Sequence, residues 1–162
     1  MYSKCVYAGS FDPITNGHAE IIGKCAMMFE KVIVLVAVNF DKKYTFDMSE
    51  RLEMVRAACA RYDGVEVFPY EGMLADYLKK EGIKYYVRGI RDQKDVEYEN
   101  KSFEFNSKRY PEIENVYLHS GKENSKVSST LVRKLLSEGK KVDKYVPFEV
   151  LPLLEKYAKK IR

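Results

Sequence analysis

Val32-Ile33-Val34-Leu35-Val36-Ala37-Val38 is an unbroken run of seven apolar residues, mostly β-branched and apolar at odd and even positions alike. A strand with one wet face alternates, so a run apolar on both parities belongs inside a sheet covered on both sides, and such sheets are characteristically parallel. A parallel sheet in turn requires crossover helices between its strands. The rest of the chain supplies them.

Lys4 to Ala8 reads as a strand that stops at Gly9, after which Ala19, Ile21, Ile22, Cys25, Ala26, Met28 and Phe29 recur with helical period before the strand Lys31 to Val38. Asp47 or Ser49 can cap a helix to about Arg61 that turns Leu52, Val55, Ala58 and Cys59 inward, and Gly64 precedes a strand over Val65 to Tyr70. Leu74 to Glu81 is helical, Gly82 ends it, and Ile83 to Val87 is the next strand. Asp92 to about Lys108 is a polar helix with a thin apolar stripe of Val96, Phe103 and Tyr98, and Pro111 breaks it. Glu114 to His119 is a fifth strand, Ser128 or Ser129 caps a helix to about Glu138, and Pro147 opens a last one. No repeat or Ser/Gly linker interrupts the alternation. The expectation is one α/β domain over residues 1–162, with a five-stranded, mainly parallel sheet covered by helices on both faces.

Several classes are excluded. The seven-residue run is far short of the roughly 20 residues a membrane helix needs, so no membrane role is expected. The N-terminus reaches Gly9 with no apolar signal-peptide core, which makes cytoplasmic residence the expectation. Cys5, Cys25 and Cys59 are odd in number and form no Cys-x-x-Cys pair, so reduced thiols are expected, with neither disulfides nor a cysteine zinc site. Lys plus Arg exceed Asp plus Glu by 28 to 24, a net +4 that suits an anionic ligand but falls short of a nucleic-acid coat. Tyr85, Tyr86, Tyr98, Tyr110 and Tyr117 would need an open sheet face to stack on RNA bases, and crossover helices would cover that face, so no nucleic acid is expected as a partner.

In open parallel sheets ligands bind beyond the carboxyl ends of the strands, here Ala8 to His18, Asn39 to Thr45, Tyr70 to Leu74, Arg88 to Arg91 and His119 to Thr130. There is no Gly-x-Gly-x-x-Gly fingerprint and no His-Glu-x-x-His. Gly17 to Lys24 fails as a phosphate-binding P-loop, because five residues separate its glycines and Cys25 replaces the required hydroxyl. The loop Ala8 to His18 instead offers Ser10, glycines at two bends and a histidine at a helix start, where free N–H groups and the helix dipole favour a phosphate. Arg88 and Arg91 flank Gly89 at a strand end, where guanidinium forks match phosphate oxygens and the glycine keeps the turn open. Lys122 to Thr130 runs into another helix start with Arg133 one turn inside, and Lys42-Lys43 follow the second strand. Each alone has a bland reading as capping or solvated surface. Four together at one sheet edge point to a polyphosphate-handling site.

The same residues carry a family resemblance. Thr15-Asn16-Gly17-His18 is similar to the His-x-Gly-His signature of the nucleotidylyltransferase superfamily, and Val127-Ser128-Ser129-Thr130-Leu131-Val132-Arg133 to its Ile-Ser-Ser-Thr-x-x-Arg partner. With Gly9-Ser10-Phe11-Asp12-Pro13, Tyr86-Val87-Arg88-Gly89-Ile90-Arg91 and Asp95-Val96-Glu97-Tyr98-Glu99, the pattern resembles the phosphopantetheine adenylyltransferase family along essentially the whole chain. The resemblance implies a Rossmann-like subunit of a homohexamer. It implies an enzyme that, with Mg2+, joins ATP and 4'-phosphopantetheine into dephospho-coenzyme A and pyrophosphate, with coenzyme A as a feedback ligand. By the same resemblance His18 is the catalytic residue, and Ser10, Lys42, Leu74 and Arg88 take the acceptor. The ATP side falls to Ser10, Phe11, His18, Gly89, Ile90, Arg91, Glu99, Asn124, Ser125, Lys126, Val127, Ser128, Ser129 and Thr130. Asp12 matches as a loop-fixing residue. The chain departs from the pattern at Asn124, where an aromatic is usual, at Lys126, where a bulky apolar residue is usual, and at Ala8, where proline is common.

Overall fold

A computed structural model describes residues 2–38 and 42–161. Asn39, Phe40 and Asp41, the first part of one expected strand-end loop, lie outside the described residues.

The apolar runs become strands β1 (Tyr2–Gly9), β2 (Phe29–Ala37), β3 (Val65–Tyr70), β4 (Tyr85–Ile90) and β5 (Glu114–His119), all paired in parallel in the order β3-β2-β1-β4-β5. The chain thus winds outward from β1 in one direction through β3, then crosses back and winds the other way from β4. The carboxyl ends of β1 and β4 flank the reversal, which is where such sheets open a crevice.

Helix α1 (Asn16–Met28) follows β1, α2 (Met48–Cys59) follows β2, α3 (Leu74–Glu81) follows β3, α4 (Gln93–Arg109) follows β4, and α5 (Ser129–Ser137) and α6 (Leu151–Tyr157) complete the chain. Asp47 rather than Ser49 caps α2 and Ser128 rather than Ser129 caps α5, each accepting from a backbone N–H three residues on. Pro147 leads into a short 3-10 turn, Phe148–Val150, before α6.

The double parity of β2 is used as the sequence requires. Val32, Val34 and Val36 enter a core with Ile21, Ile22, Cys25, Met54, Val55, Val132 and Leu154, while Ile33 and Leu35 enter a second core with Ala75, Leu78, Ile83 and Tyr110. Helices therefore lie on both faces. Cys5, Cys25 and Cys59 are free and buried. No helix among the described residues is long and apolar enough to cross a membrane.

Four expectations shift. β4 begins at Tyr85, not Ile83, because Gly82 takes a left-handed turn at φ 63° and Ile83 N–H closes the end of α3 on Leu78 O at 2.9 Å. The strand then runs on to Ile90, so Gly89 pairs with Leu118 inside the sheet instead of opening a turn. A Cβ there would meet Ile21 Cγ1 at 3.2 Å, so the glycine serves the close approach of α1. In α4, Tyr98 is exposed and the residues buried are Glu99 and Asn106, with Val96 and Phe103 only half-buried. In α2, Met54 and Arg51 are buried and Leu52 is only half-buried.

Candidate active site

The β1–α1 loop is fixed by partners distant in sequence. Phe11 sits at φ 48° and Asp12-Pro13 is cis. The Asp12 carboxylate accepts from Thr45 N–H and Phe46 N–H, both at 2.9 Å, while Arg133 donates to Asp12 O at 2.6 Å and Ser129 Oγ to Pro13 O at 2.8 Å. Behind the loop the Arg51 guanidinium, 2% exposed, donates to Ser10 O at 2.7 Å and Ala37 O at 3.1 Å and lies 3.9 Å over the Tyr44 ring. A buried arginine donating from Nη1 to both carbonyls ties the carboxyl ends of β1 and β2 together.

Thr15 caps α1, and His18 stands at the third helical position. His18 N–H reaches Thr15 Oγ1 at 3.5 Å and Thr15 N–H donates to His18 Nδ1 at 3.1 Å. Because Nδ1 accepts, the neutral ring carries its proton on Nε2. Phe11 supports the ring edge-to-face at 5.1 Å. Burial, then the Arg91 and Arg88 cations, push the imidazole down to about 4, so near neutral pH it is an uncharged N–H donor.

Across the reversal, Arg88 is gripped on several sides. Its Nε donates to Glu99 Oε2 at 2.7 Å and Nη2 to Glu99 Oε1 at 2.5 Å, while Nη1 donates to Ala8 O at 3.2 Å and to the Tyr86 hydroxyl at 2.6 Å. Arg91 pairs with Asp95 at 3.0 Å one turn into α4, holding that carboxyl below its usual range.

The third wall is the loop from β5 to α5. Glu20 on α1 holds it: the carboxylate accepts from Gly121 N–H at 2.8 and 2.9 Å and from Asn124 Nδ2 at 2.8 Å, and pairs with Lys24 at 2.8 Å. Burial pushes Glu20 up, but the bonds from Asn124, Lys24 and Gly121 win and keep it low and charged.

These walls enclose a cleft of about 570 Å³. Of the residues named from sequence, Ser10, His18, Lys42, Leu74 and Arg88 line it, as do Gly89, Arg91, Glu99, Asn124, Val127, Ser128 and Ser129. Five do not. Phe11 forms the wall behind His18, Ile90 is buried in the sheet, Ser125 turns to Lys122 O, Lys126 is exposed, and Thr130 Oγ1 accepts from Arg133. Arg133 likewise contributes through Asp12 and Thr130 and is not part of the lining.

The cleft also holds Tyr70, from an expected strand-end segment, and Tyr7, Tyr86 and Asp95, to which sequence reasoning gave no site role, and it rests on Arg51 and Glu20, which sequence reasoning passed over. Arg51 left a trace as a charge on the inward stripe of α2; Glu20 left none. No group of three or more His, Cys, Asp or Glu gathers among the described residues as a cation site. The cleft carboxylates Asp95 and Glu99 face arginines. The donor set therefore fits a cation that arrives on the phosphates of a nucleotide better than one caged by the chain.

Comparison with known proteins gives one answer at two levels. The cytidylyltransferase-like family model matches residues 6–135. A phosphopantetheine adenylyltransferase of Heliobacterium modesticaldum is 40% identical over 158 residues, covering 97% of this chain and 94% of that one. Two solved structures share the fold. A Vibrio parahaemolyticus protein provisionally assigned as a nicotinate-nucleotide adenylyltransferase superposes with a TM-score of 0.76 at 19% identity, over 98% of this chain and 94% of its own. The Plasmodium falciparum nicotinic acid mononucleotide adenylyltransferase complexed with NaAD gives 0.70 at 18%, over 97% and 96%.

Proposed function

The chain belongs to the cytidylyltransferase-like family and, within it, to the phosphopantetheine adenylyltransferases, and on that footing we propose how its cleft transfers the adenylyl group of ATP to 4'-phosphopantetheine. A phosphate oxygen of the acceptor attacks the α-phosphorus of ATP, the bond from that phosphorus to the bridging oxygen of the β-phosphate breaks, and pyrophosphate leaves with the electron pair. Dephospho-coenzyme A is the other product. An ionised phosphate needs no base to attack, so the work left to the protein is alignment and stabilisation of the charge that builds on the α-phosphate oxygens.

The observation that carries this reading is the state of His18. Its Nδ1 is occupied by Thr15 N–H, its ring is held neutral, and its Nε2–H is the remaining donor at the start of α1, on the cleft lining. A fixed neutral donor stabilises a developing oxyanion without exchanging protons with it. Ser10, Lys42, Leu74 and Arg88 are assigned to the acceptor. Ser10, Gly89, Arg91 and the Asn124 to Ser129 loop are assigned to ATP, with Phe11 acting through His18, while Glu99 acts through Arg88 on the acceptor side. No carboxylate cluster among the described residues would hold magnesium, which would be carried on the phosphates of ATP and would neutralise part of their charge. A homohexamer, with feedback by coenzyme A, is the setting we propose for the subunit on the family resemblance alone.

The test is magnesium-dependent pyrophosphate release from ATP, run in parallel with 4'-phosphopantetheine, nicotinamide mononucleotide and glycerol 3-phosphate. Release with phosphopantetheine alone, and a product of dephospho-coenzyme A mass, is expected. Release only with another acceptor would overturn the acceptor assignment while keeping the nucleotide chemistry.

A further inference from the structure

Tyr86 has no role in the scheme above, yet it is placed where one is needed. It lies in β4 two residues before Arg88, on the same side of the strand, 5% exposed and on the wall of the cleft. Its hydroxyl oxygen accepts a hydrogen bond from Arg88 Nη1 at 2.6 Å, which leaves the hydroxyl proton to be donated elsewhere. No hydrogen bond donated by that hydroxyl occurs among the described residues. Burial raises the phenol above its ordinary range despite the neighbouring arginine, so the proton stays in place.

The state of Arg88 sharpens the point. A guanidinium has five N–H groups. Bonds to Glu99, Ala8 O and Tyr86 occupy Nε, one N–H of Nη2 and both of Nη1, leaving a single Nη2–H. Arg88 therefore cannot clasp a phosphate with a two-pronged fork without giving up a protein partner. Yet an inward-facing charge held this firmly is suited to fixed, directional recognition. The second prong is the Tyr86 O–H, pinned at hydrogen-bond distance from the guanidinium and lacking an acceptor.

We propose that Tyr86 is a substrate-binding residue, whose hydroxyl donates to the acceptor's phosphate beside the free Nη2–H of Arg88, so that the two residues form one composite phosphate clamp. The inference rests on the assignment of Arg88 to the acceptor phosphate. It identifies the ligand group by chemistry: a tetrahedral anion offering two oxygens, not the pantetheine arm.

Tyr86→Phe removes the hydroxyl and keeps the ring, and Tyr86→Leu removes both while remaining apolar, so a folded form of either reads the same loss. The measurement is binding of 4'-phosphopantetheine and of unphosphorylated pantetheine to the full-length protein, with turnover of the wild type recorded alongside. Loss of a hydrogen bond to a charged group should weaken phosphopantetheine binding about tenfold and leave pantetheine binding unchanged, so the preference for the phosphorylated ligand falls about tenfold. An equal loss for both ligands would make Tyr86 merely structural, and no loss for either would make it idle; both results overturn the proposal. Turnover of wild type with phosphopantetheine separates these outcomes from failure of the functional reading itself, which would show as no turnover in the wild type and would take the inference with it.

Discussion

Glu99 grips Arg88 side-on, one carboxylate oxygen to Nε at 2.7 Å and the other to Nη2 at 2.5 Å, with the Glu99 side chain almost wholly out of solvent. A bidentate pair of this kind fixes the plane of the guanidinium as well as its charge. Family resemblance puts Glu99 on the ATP side, whereas its carboxylate is spent on Arg88, the residue proposed for the acceptor. Glu99→Gln is therefore expected to raise KM for 4'-phosphopantetheine about tenfold, with KM for ATP within about twofold of wild type. Steady-state kinetics with each substrate varied in turn decide it; the reverse pattern would return Glu99 to the nucleotide.

His18→Ala removes the neutral donor at the start of α1. Turnover should drop at least ~100-fold, the scale seen when one donor to a transition-state oxyanion is lost. The fold should persist, since the neighbouring loop is held by Asp12, Arg51 and Arg133 independently of the ring. Circular dichroism and pyrophosphate release measured together check both halves, and near-normal turnover would remove His18 from the chemistry.

The depressed basicity of His18 has a pH signature. An unfolded chain protonates histidine near 6.5, while the folded chain does so at about 4. Between those values only the unfolded state takes up the proton, so the contribution of the neutral ring is whole above about pH 6.5 and is lost as pH falls toward 4. Wild type should lose melting temperature between pH 7 and 4.5 more steeply than His18→Asn. The His18 ring signals should titrate in NMR with a midpoint near 4, and a midpoint near 6.5 would contradict the burial and the two arginines as the cause.

Glu20→Ala breaks the tie between α1 and the β5–α5 loop, leaving Gly121 N–H and the Asn124 amide without their acceptor. The loop supplies Asn124, Val127, Ser128 and Ser129 to the cleft. The expected result is a several-fold rise in KM for ATP with little change for the acceptor, together with faster hydrogen exchange at Gly121. Unchanged exchange at Gly121 would show that the loop is held without Glu20.

Strand count, crossovers and the edge that binds ligand were legible because the signals are local: β2 declares its two buried faces in seven consecutive residues, and Asp47, Gly82 and Ser128 punctuate helices within four residues of where they act. His18 and Arg88 were legible for a similar reason, each lying beside a glycine, the one at the start of α1 and the other toward the carboxyl end of β4. The β4 boundary was misjudged because Ile83 looks like strand material, while a single hydrogen bond to Leu78 keeps it at the end of α3. The stripe of α4 was misjudged because Glu99 is buried by virtue of a partner in another element, which helical periodicity does not register. Arg51 and Glu20 act on backbone groups 41 and 101 positions away, and no local pattern announces such pairings. Tyr86 passed as one more aromatic, its importance residing in a single oxygen.

The sheet divides the apolar interior in two, and the cleft straddles the dividing edge. Leu74 and Arg88 stand over the core shared by α3 and α4, whereas His18 and Ser128 stand over the core shared by α1, α2 and α5. Repacking around Ala75 and Leu78 should therefore retune the choice of acceptor while the adenylyl-handling half stays in register. On the proposed assignment the two reactants would rest against opposite faces of one sheet, so that a lineage could alter one half of its chemistry with less disturbance to the other.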